Sequence, residues 1–213
     1  MTLDAAWAVD WVRRSAATVA EHRDELVELD RQIGDGDHGE NLNRGFAAVV
    51  AKLDALEQPP ATPGDVLRLV ATTLMSTVGG AAGPLYGTAY LRASKAGATD
   101  ALGAAAVVAM LESALEGVVA RGKASAGEKT MVDAWTPAVA AAVEAADHGA
   151  PPSAVLAAAA LGARDGAQAT VPLVATKGRA SYLGARSAGH MDPGARSSQL
   201  LLEAAAEAAA DAD

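Results

Sequence analysis

The stretch Ala101-Leu-Gly-Ala-Ala-Ala-Val-Val-Ala-Met-Leu-Glu-Ser-Ala-Leu-Glu-Gly-Val-Val-Ala-Arg121 decides the fold class. Within it Val108, Leu111, Leu115 and Val118 recur at three- and four-residue steps, the spacing of one face of an α-helix. Most of the remainder is alanine, the best helix former and a poor strand former. The same period runs along Leu3, Trp7, Trp11 and Val19, along Leu67, Val70 and Leu74, and along Val132, Trp135, Val139 and Val143. Of the 213 residues 55 are alanine, so alanine supplies about half of the 51% hydrophobic fraction, while only 3% are aromatic. An all-β barrel or sandwich is excluded by that composition, and disorder by its hydropathy.

Start signals agree with the stripes. Thr62 precedes Pro63 with Asp65 three residues on, Thr130 is followed by Asp133, and Asp192 precedes Pro193. About eight helices are expected, over 3–27, 39–56, 63–78, 84–97, 102–121, 130–147, 152–170 and 194–211. Small alanine faces let helices approach closely, which suits an all-α antiparallel up-and-down barrel or bundle. No long Pro/Gly/Ser linker and no internal repeat divides residues 1–213, so one domain is expected.

Charge narrows the function. Lys+Arg number 17 against Asp+Glu 26, a net −9, which argues against a nucleic-acid or anionic-membrane surface. There is no cysteine, hence no disulfide, thiolate nucleophile or zinc–cysteine site. No basic region precedes an apolar run near Asp4 and Asp10, and the charge-free stretches Ala101–Leu111 and Gly149–Ala163 are too short to span a bilayer. A cytoplasmic protein is expected.

The irregular segments Asp30–Gly39, Gly79–Gly83, Gly122–Lys129 and Thr176–Gly194 are rich in glycine and charge. They follow the first, third, fifth and seventh expected helices, so an up-and-down bundle gathers them at one mouth. The first carries Asp30, Asp35 and Asp37 among Gly34, Gly36 and Gly39. Three converging carboxylates repel one another unless a cation joins them, and magnesium takes few carboxylates plus phosphate oxygens. A solvated Asp/Gly turn is the plainer alternative. Gly34-x-Gly36-x-x-Gly39 matches a dinucleotide fingerprint, but no strand precedes it, and an EF-hand counted from Asp35 fails at Gly39 and Phe46.

The second segment, Gly79-Gly-Ala-Ala-Gly-Pro84-Leu-Tyr-Gly87, lets a ligand approach the backbone, and Pro84 is expected to open a helix whose amides suit an anion. Close helix packing fits it equally. Gly117-x-x-x-x-Gly122-Lys123 nearly completes a phosphate loop, but Ala124 lacks the hydroxyl and a helix precedes it. A basic flexible loop up to Thr130, suited to covering phosphates, or a solvated charge cluster, remains. The last segment sets Lys177, Arg179, Arg186 and His190 among glycines in an acidic chain, which suggests an anion site. No nucleophile motif is present. Together these features point to a magnesium–nucleotide site.

Gly34-Asp-Gly-Asp-His-Gly39, Gly79-Gly-Ala-Ala-Gly-Pro-Leu-Tyr-Gly87, Gly122-Lys-Ala, Lys129-Thr-Met131 and Lys177-Gly-Arg-Ala-Ser-Tyr-Leu-Gly184 follow in order. In these motifs the chain resembles, over its whole length, the nucleotide-binding L subunits of dihydroxyacetone kinases. The resemblance implies an eight-helix antiparallel barrel holding ADP or ATP and two magnesium ions at one mouth. It implies that Asp30, Asp35 and Asp37 ligate the metals. It places His38, Gly39, Glu40, Asn41, Ala81, Ala82, Gly122, Thr130, Met131, Arg179, Asp192, Pro193 and Gly194 at nucleotide-contacting positions, with Arg179 and Lys177 as phosphate stabilisers. The family commonly has serine where this chain has Ala82, so a hydroxyl contact to phosphate is lost there or replaced by an amide. The implied partners are a dihydroxyacetone-binding K subunit and a phosphocarrier M subunit that rephosphorylates bound ADP from phosphoenolpyruvate. Direct use of ATP on dihydroxyacetone or a related short ketose is the alternative. Some family members dock to a transcriptional regulator, and a homodimer is left open.

Overall fold

The structure is a computed structural model that describes residues 2–212. Four of its helices begin where side chains supply the missing acceptors of a first turn. Thr62 and Asp65 form a capping box ahead of α4 (Pro63–Thr77), and Thr130 and Asp133 form another ahead of α7 (Met131–Asp147). Asp192 accepts the Ala195 N–H at 2.8 Å and starts α9 (Pro193–Asp211). Asp4 accepts from Ala6 and Trp7 and starts α1 (Ala5–Glu21). The other helices are α2 (Arg23–Ile33), α3 (His38–Asp54), α5 (Ala82–Ala96), α6 (Ala104–Gly122) and α8 (Pro152–Ala169), and a 3-10 helix spans Arg179–Ser187. Among the described residues there is no strand beyond one isolated bridge, between Leu3 and Leu102.

Eight helices close a ring. α1 packs on α3, α3 on α4, and each later helix on its successor as far as α9, which returns to α1. Short connections make neighbours antiparallel. The closing seam is nailed by the indole N–H groups of Trp7 and Trp11, which donate to the carbonyls of Ala205 and Leu201 at 3.2 and 2.8 Å. Those indoles stack with centroids 5.3 Å apart and fill the interior with Tyr90, Phe46, Leu74 and Met110. The expectation of an up-and-down helical barrel is met.

Small residues let the ring close. A Cβ on Gly64 would lie 2.4 Å from the Ser94 carbonyl oxygen, and Gly64 donates its own N–H to the Gly97 carbonyl at 2.7 Å. A Cβ on Gly117 would lie 2.9 Å from the Thr88 carbonyl oxygen. Where α7 crosses α8, Pro137 lacks the N–H that would bond the Asp133 carbonyl, and Gly166 of α8 lies against that oxygen.

The structure departs from the expected helix map in particular places. The span 3–27 is not one helix: the chain leaves helical geometry at His22 (φ −92°, ψ 10°), and α2 starts afresh and runs to Ile33. The redirection buries Leu26 and carries Asp30 up to the mouth on a helix instead of a loop. Leu3 and Leu102 pair with each other and stay outside helices. Pro84 is the third residue of α5, which opens at Ala82.

Gly166→Ala is expected to destabilise the barrel. Removing a mid-helix glycine favours the helix by roughly 1 kcal/mol, but the added methyl would sit 2.2 Å from the Asp133 carbonyl oxygen and 2.9 Å from the Ala134 Cα. Backbone atoms cannot rotate aside, so overpacking of about 1–3 kcal/mol outweighs the gain. Thermal unfolding should show a lower Tm, and an unchanged or higher Tm would refute the close crossing.

Candidate functional site at the mouth of the barrel

The four glycine-rich connections meet at one end of the ring and line a cavity of about 190 Å³. One wall is acidic. Asp30 is buried on the last turn of α2, and its Oδ2 accepts the N–H groups of Asp37 and His38 at 2.8 and 3.2 Å. It thereby fixes the turn between α2 and α3, in which Gly36 takes a φ of +75° that favours glycine. This turn brings Asp35 and Asp37 round, so that ligand oxygens from all three carboxylates lie within 4.8 Å of one another. Oxygen-only donors at that spacing can hold a hard divalent cation. Arg179 reaches across from the 3-10 helix to Asp35 at 2.9 Å.

Beside the acidic wall lies the N-terminus of α5, reached through Gly80, where a Cβ would lie 3.9 Å from an Asp37 carboxylate oxygen. No side chain caps that helix and no acidic residue occupies its first turn, so its first N–H groups have no side-chain acceptor. Gly79, Gly80, Ala81 and Ala82 line the cavity, with Gly80 at φ +65°. Such a terminus receives anions. A third wall is apolar, formed by Leu85, Met131 and Pro193. Lys177 and Arg179 stand at the rim, and Lys177 has no ion pair among the described residues.

Most of the residues singled out in the sequence come together here: Asp30, Asp35, Asp37, His38, Asn41, Ala81, Ala82, Thr130, Met131, Lys177, Arg179, Asp192, Pro193 and Gly194 all line the cavity. Three stand off its wall. Gly39 packs against α2, where a Cβ would meet the Arg23 carbonyl oxygen at 2.2 Å. Glu40 points to Arg23 at 3.6 Å. Gly122 lies behind Leu85, whose Cδ2 would be 3.1 Å from a Cβ there. The Thr130 hydroxyl is committed to the α7 cap, accepting the Val132 N–H at 3.1 Å.

A buried polar chain underlies the site. His38 Nε2 shares a hydrogen bond with Ser197 Oγ (2.8 Å), Ser197 with the Tyr86 hydroxyl (2.7 Å), Tyr86 with Ser198 Oγ (3.0 Å), and the Trp135 indole N–H donates to Ser198 (3.1 Å). Ser197 and Ser198 were invisible as site residues in the sequence, because they read as part of the polar run 196–199 on a helix surface. Burial pushes the His38 imidazolium pKa down, favouring the neutral ring, and pushes the Tyr86 phenol up. Burial also pushes the Asp192 carboxyl up to about 7, with Asp133 and Asp30 adding to the rise while the Ala195 N–H and Lys129 oppose it.

Residues 32–207 match the family model described as the DAK2 domain. The chain belongs to the DAK2 family. It is 46% identical to the "PEP-dependent dihydroxyacetone kinase 1, ADP-binding subunit DhaL" of Listeria innocua, the alignment covering 96% of each chain. It is 41% identical to the corresponding ADP-binding subunit of Escherichia coli, over 98% of this chain and 99% of that one. The dihydroxyacetone kinase of C. freundii, also solved in complex with AMP-PNP and Mg2+, shares its fold. That similarity has a TM-score of 0.73 and 25% identity, over 95% of this chain and 34% of the longer enzyme. DAK2 membership accords with the helical ring and with the resemblance of the glycine-rich motifs.

The raised Asp192 carboxyl carries a pH dependence. Its folded value, about 7, lies above the ordinary aspartate value. The group therefore contributes stability below about pH 4 that is lost as pH rises through 7. In EDTA, Asp192→Asn keeps a capping oxygen but removes this titration, so its Tm should fall less than that of the unsubstituted protein between pH 4.5 and 7.5. Parallel Tm profiles would refute the perturbed carboxyl.

Proposed function

We propose that this chain is the nucleotide- and magnesium-binding subunit of a dihydroxyacetone kinase. In this reading ADP stays bound, receives a phosphoryl group from a phosphoenolpyruvate-fed phosphocarrier, and passes it to dihydroxyacetone on a separate K subunit. The observation that carries the reading is the meeting, in one cavity, of three carboxylates within 4.8 Å and an uncapped helix N-terminus. Full-length similarity to chains named as ADP-binding subunits supports it.

Asp30, Asp35 and Asp37, oxygen donors within 4.8 Å of one another, fit magnesium, two ions in this reading, and bound magnesium would neutralise phosphate charge and align the phosphoryl group for in-line transfer. The chain's own groups do the rest. The α5 amides donate to phosphate oxygens, and the Ala82 amide, first in the helix, stands in for the serine hydroxyl that the family commonly has there. Arg179 and Lys177 add positive charge at the rim. Leu85, Met131 and Pro193 give the nucleoside an apolar surface. His38, held on Ser197, and Asn41, held by Arg44 at 2.6 Å, present fixed polar atoms. The acceptor hydroxyl and its base belong to the partner, brought to roughly 3 Å of the phosphoryl group.

Direct phosphorylation by ATP is the second reading, favoured by the AMP-PNP and Mg2+ complex of the longer C. freundii kinase. Purified chain, K subunit, dihydroxyacetone and ATP, with and without phosphocarrier and phosphoenolpyruvate, separate the two. Product only when the phosphocarrier system is present supports bound ADP as coenzyme. Product from ATP on mixing with the K subunit alone supports the second reading. Full turnover without any K subunit refutes both.

Asp37→Asn should abolish magnesium-dependent ADP binding measured by calorimetry while circular dichroism keeps the helical signal, because the Asp37 side chain caps nothing. Wild-type affinity would refute the metal assignment. Added Mg-ADP at a hundredfold excess over Kd should stabilise the unsubstituted chain by about 2.7 kcal/mol, and EDTA should reverse the shift in Tm.

A further inference from the structure

Lys129 is the one basic side chain of the mouth that is sealed from solvent, at 1% exposure, and its backbone is left-handed at φ +62°. Burying an ammonium is costly unless its donors are satisfied, and lysines are seldom buried without a partner charge. No carboxylate lies within ion-pair distance of it among the described residues. Its Nζ instead donates to the carbonyls of Thr170 (2.7 Å), Val171 (3.4 Å) and His190. Thr170 caps the C-terminus of α8, where the helix dipole is negative, so the ammonium satisfies that end.

Of the three N–H donors of an ammonium, two go to the Thr170 and His190 carbonyls and the third leans on Val171 at 3.4 Å. The Lys129 ammonium is thus directed at backbone carbonyls, contrary to the sequence expectation of a basic flexible loop over the phosphates. What it does is join two distant connections. From Lys129 the chain enters α7 through Thr130 and Met131. From Thr170 the hydroxyl accepts the Asp192 N–H at 3.0 Å, next to Pro193 and Gly194. Met131 and Gly194 are in contact range, with a Gly194 Cβ falling 3.5 Å from the Met131 Cβ. Met131 and Pro193 of the apolar wall thus come from two segments that Lys129 clamps together. Burial lowers the Lys129 pKa, while Asp192 and Asp133 act at a distance to keep the charge.

We propose that Lys129 is a positioning residue for the nucleoside half of the ligand: its three carbonyl bonds hold Met131 and the Asp192-Pro193-Gly194 turn in the register that packs against the nucleoside, without contacting phosphate. This rests on the nucleotide reading above. The acidic wall and the α5 amides, which would meet the phosphates, are built from other segments, and the clamped connection reaches that wall through Arg179 on Asp35 and His190 on Gln32.

Calorimetry with two probes, Mg-ADP and Mg-pyrophosphate, tests it on Lys129→Met well below its Tm. The Kd for Mg-ADP should rise roughly tenfold or more through lost preorganisation, while that for Mg-pyrophosphate changes by less than about twofold. Lys129→Gly, which relieves the left-handed backbone as it deletes the ammonium, should show the same split. Equal weakening of both probes, or an unchanged Mg-ADP Kd in a folded variant, overturns the proposal. So does failure of both variants to fold, which would make Lys129 a folding residue only. An unsubstituted chain that binds neither probe overturns the nucleotide reading itself, a result distinct from any of these.

Discussion

Backbone has to touch backbone for this ring to close. With one phenylalanine, three tyrosines and three tryptophans in 213 residues, large side chains cannot fill wide gaps between helices. The helices are instead drawn together at glycines such as Gly64, Gly117 and Gly166, whose missing Cβ leaves room for a neighbour's carbonyl. Dispersion then acts along whole helix faces of alanine instead of through a few large knobs. Tight contact also makes each wall stiff, since closely packed backbone has no soft side chain to absorb a shift. The Trp7 and Trp11 bonds to α9 close the circle where the first helix meets the last.

Stiff walls allow charge to be concentrated at one end. Asp30, Asp35, Asp37 and Asp192 share a small cavity, an arrangement that like-charge repulsion opposes. The fold answers each differently. Asp30 accepts two amides, Asp35 meets Arg179, and Asp192 caps α9 while its carboxyl rises to about 7. Asp37 has no such partner and projects at the start of α3. A strong demand for positive charge is therefore built into this end of the barrel.

Local signals made much of this legible in the sequence. The stripes and the capping residues at Thr62, Thr130 and Asp192 act within four residues of themselves, and the helices begin there. The gathering of the four connections followed from counting helices in antiparallel order. The break at His22 gave no sign, since neither glycine nor proline marks it and the redirection exists to bury Leu26 among distant neighbours. Lys129 read as part of a phosphate-covering loop or a solvated cluster because its acceptors, at 170, 171 and 190, lie 41 or more residues away. Gly39 stood in a motif that reads as ligand-facing, yet its closest constraint is the Arg23 carbonyl of the preceding helix. Contacts set by the tertiary fold are the ones a single chain conceals.

The direction of the last helix has a consequence for how such a barrel is joined to other polypeptides. α9 leaves the mouth at Asp192 and runs for 19 residues, which at 1.5 Å per residue carries it about 28 Å to the opposite pole. The start of α1 lies at that same pole, where Leu3 pairs with Leu102 ahead of α6. A covalent fusion through either helix therefore enters at the far side and leaves the cavity unobstructed. The C. freundii kinase, of which this chain corresponds to 34%, shows the fold embedded in a longer polypeptide. Geometry of this kind makes the barrel a transposable module: a tether of sufficient reach, or none at all, presents the same open face to whatever it must meet.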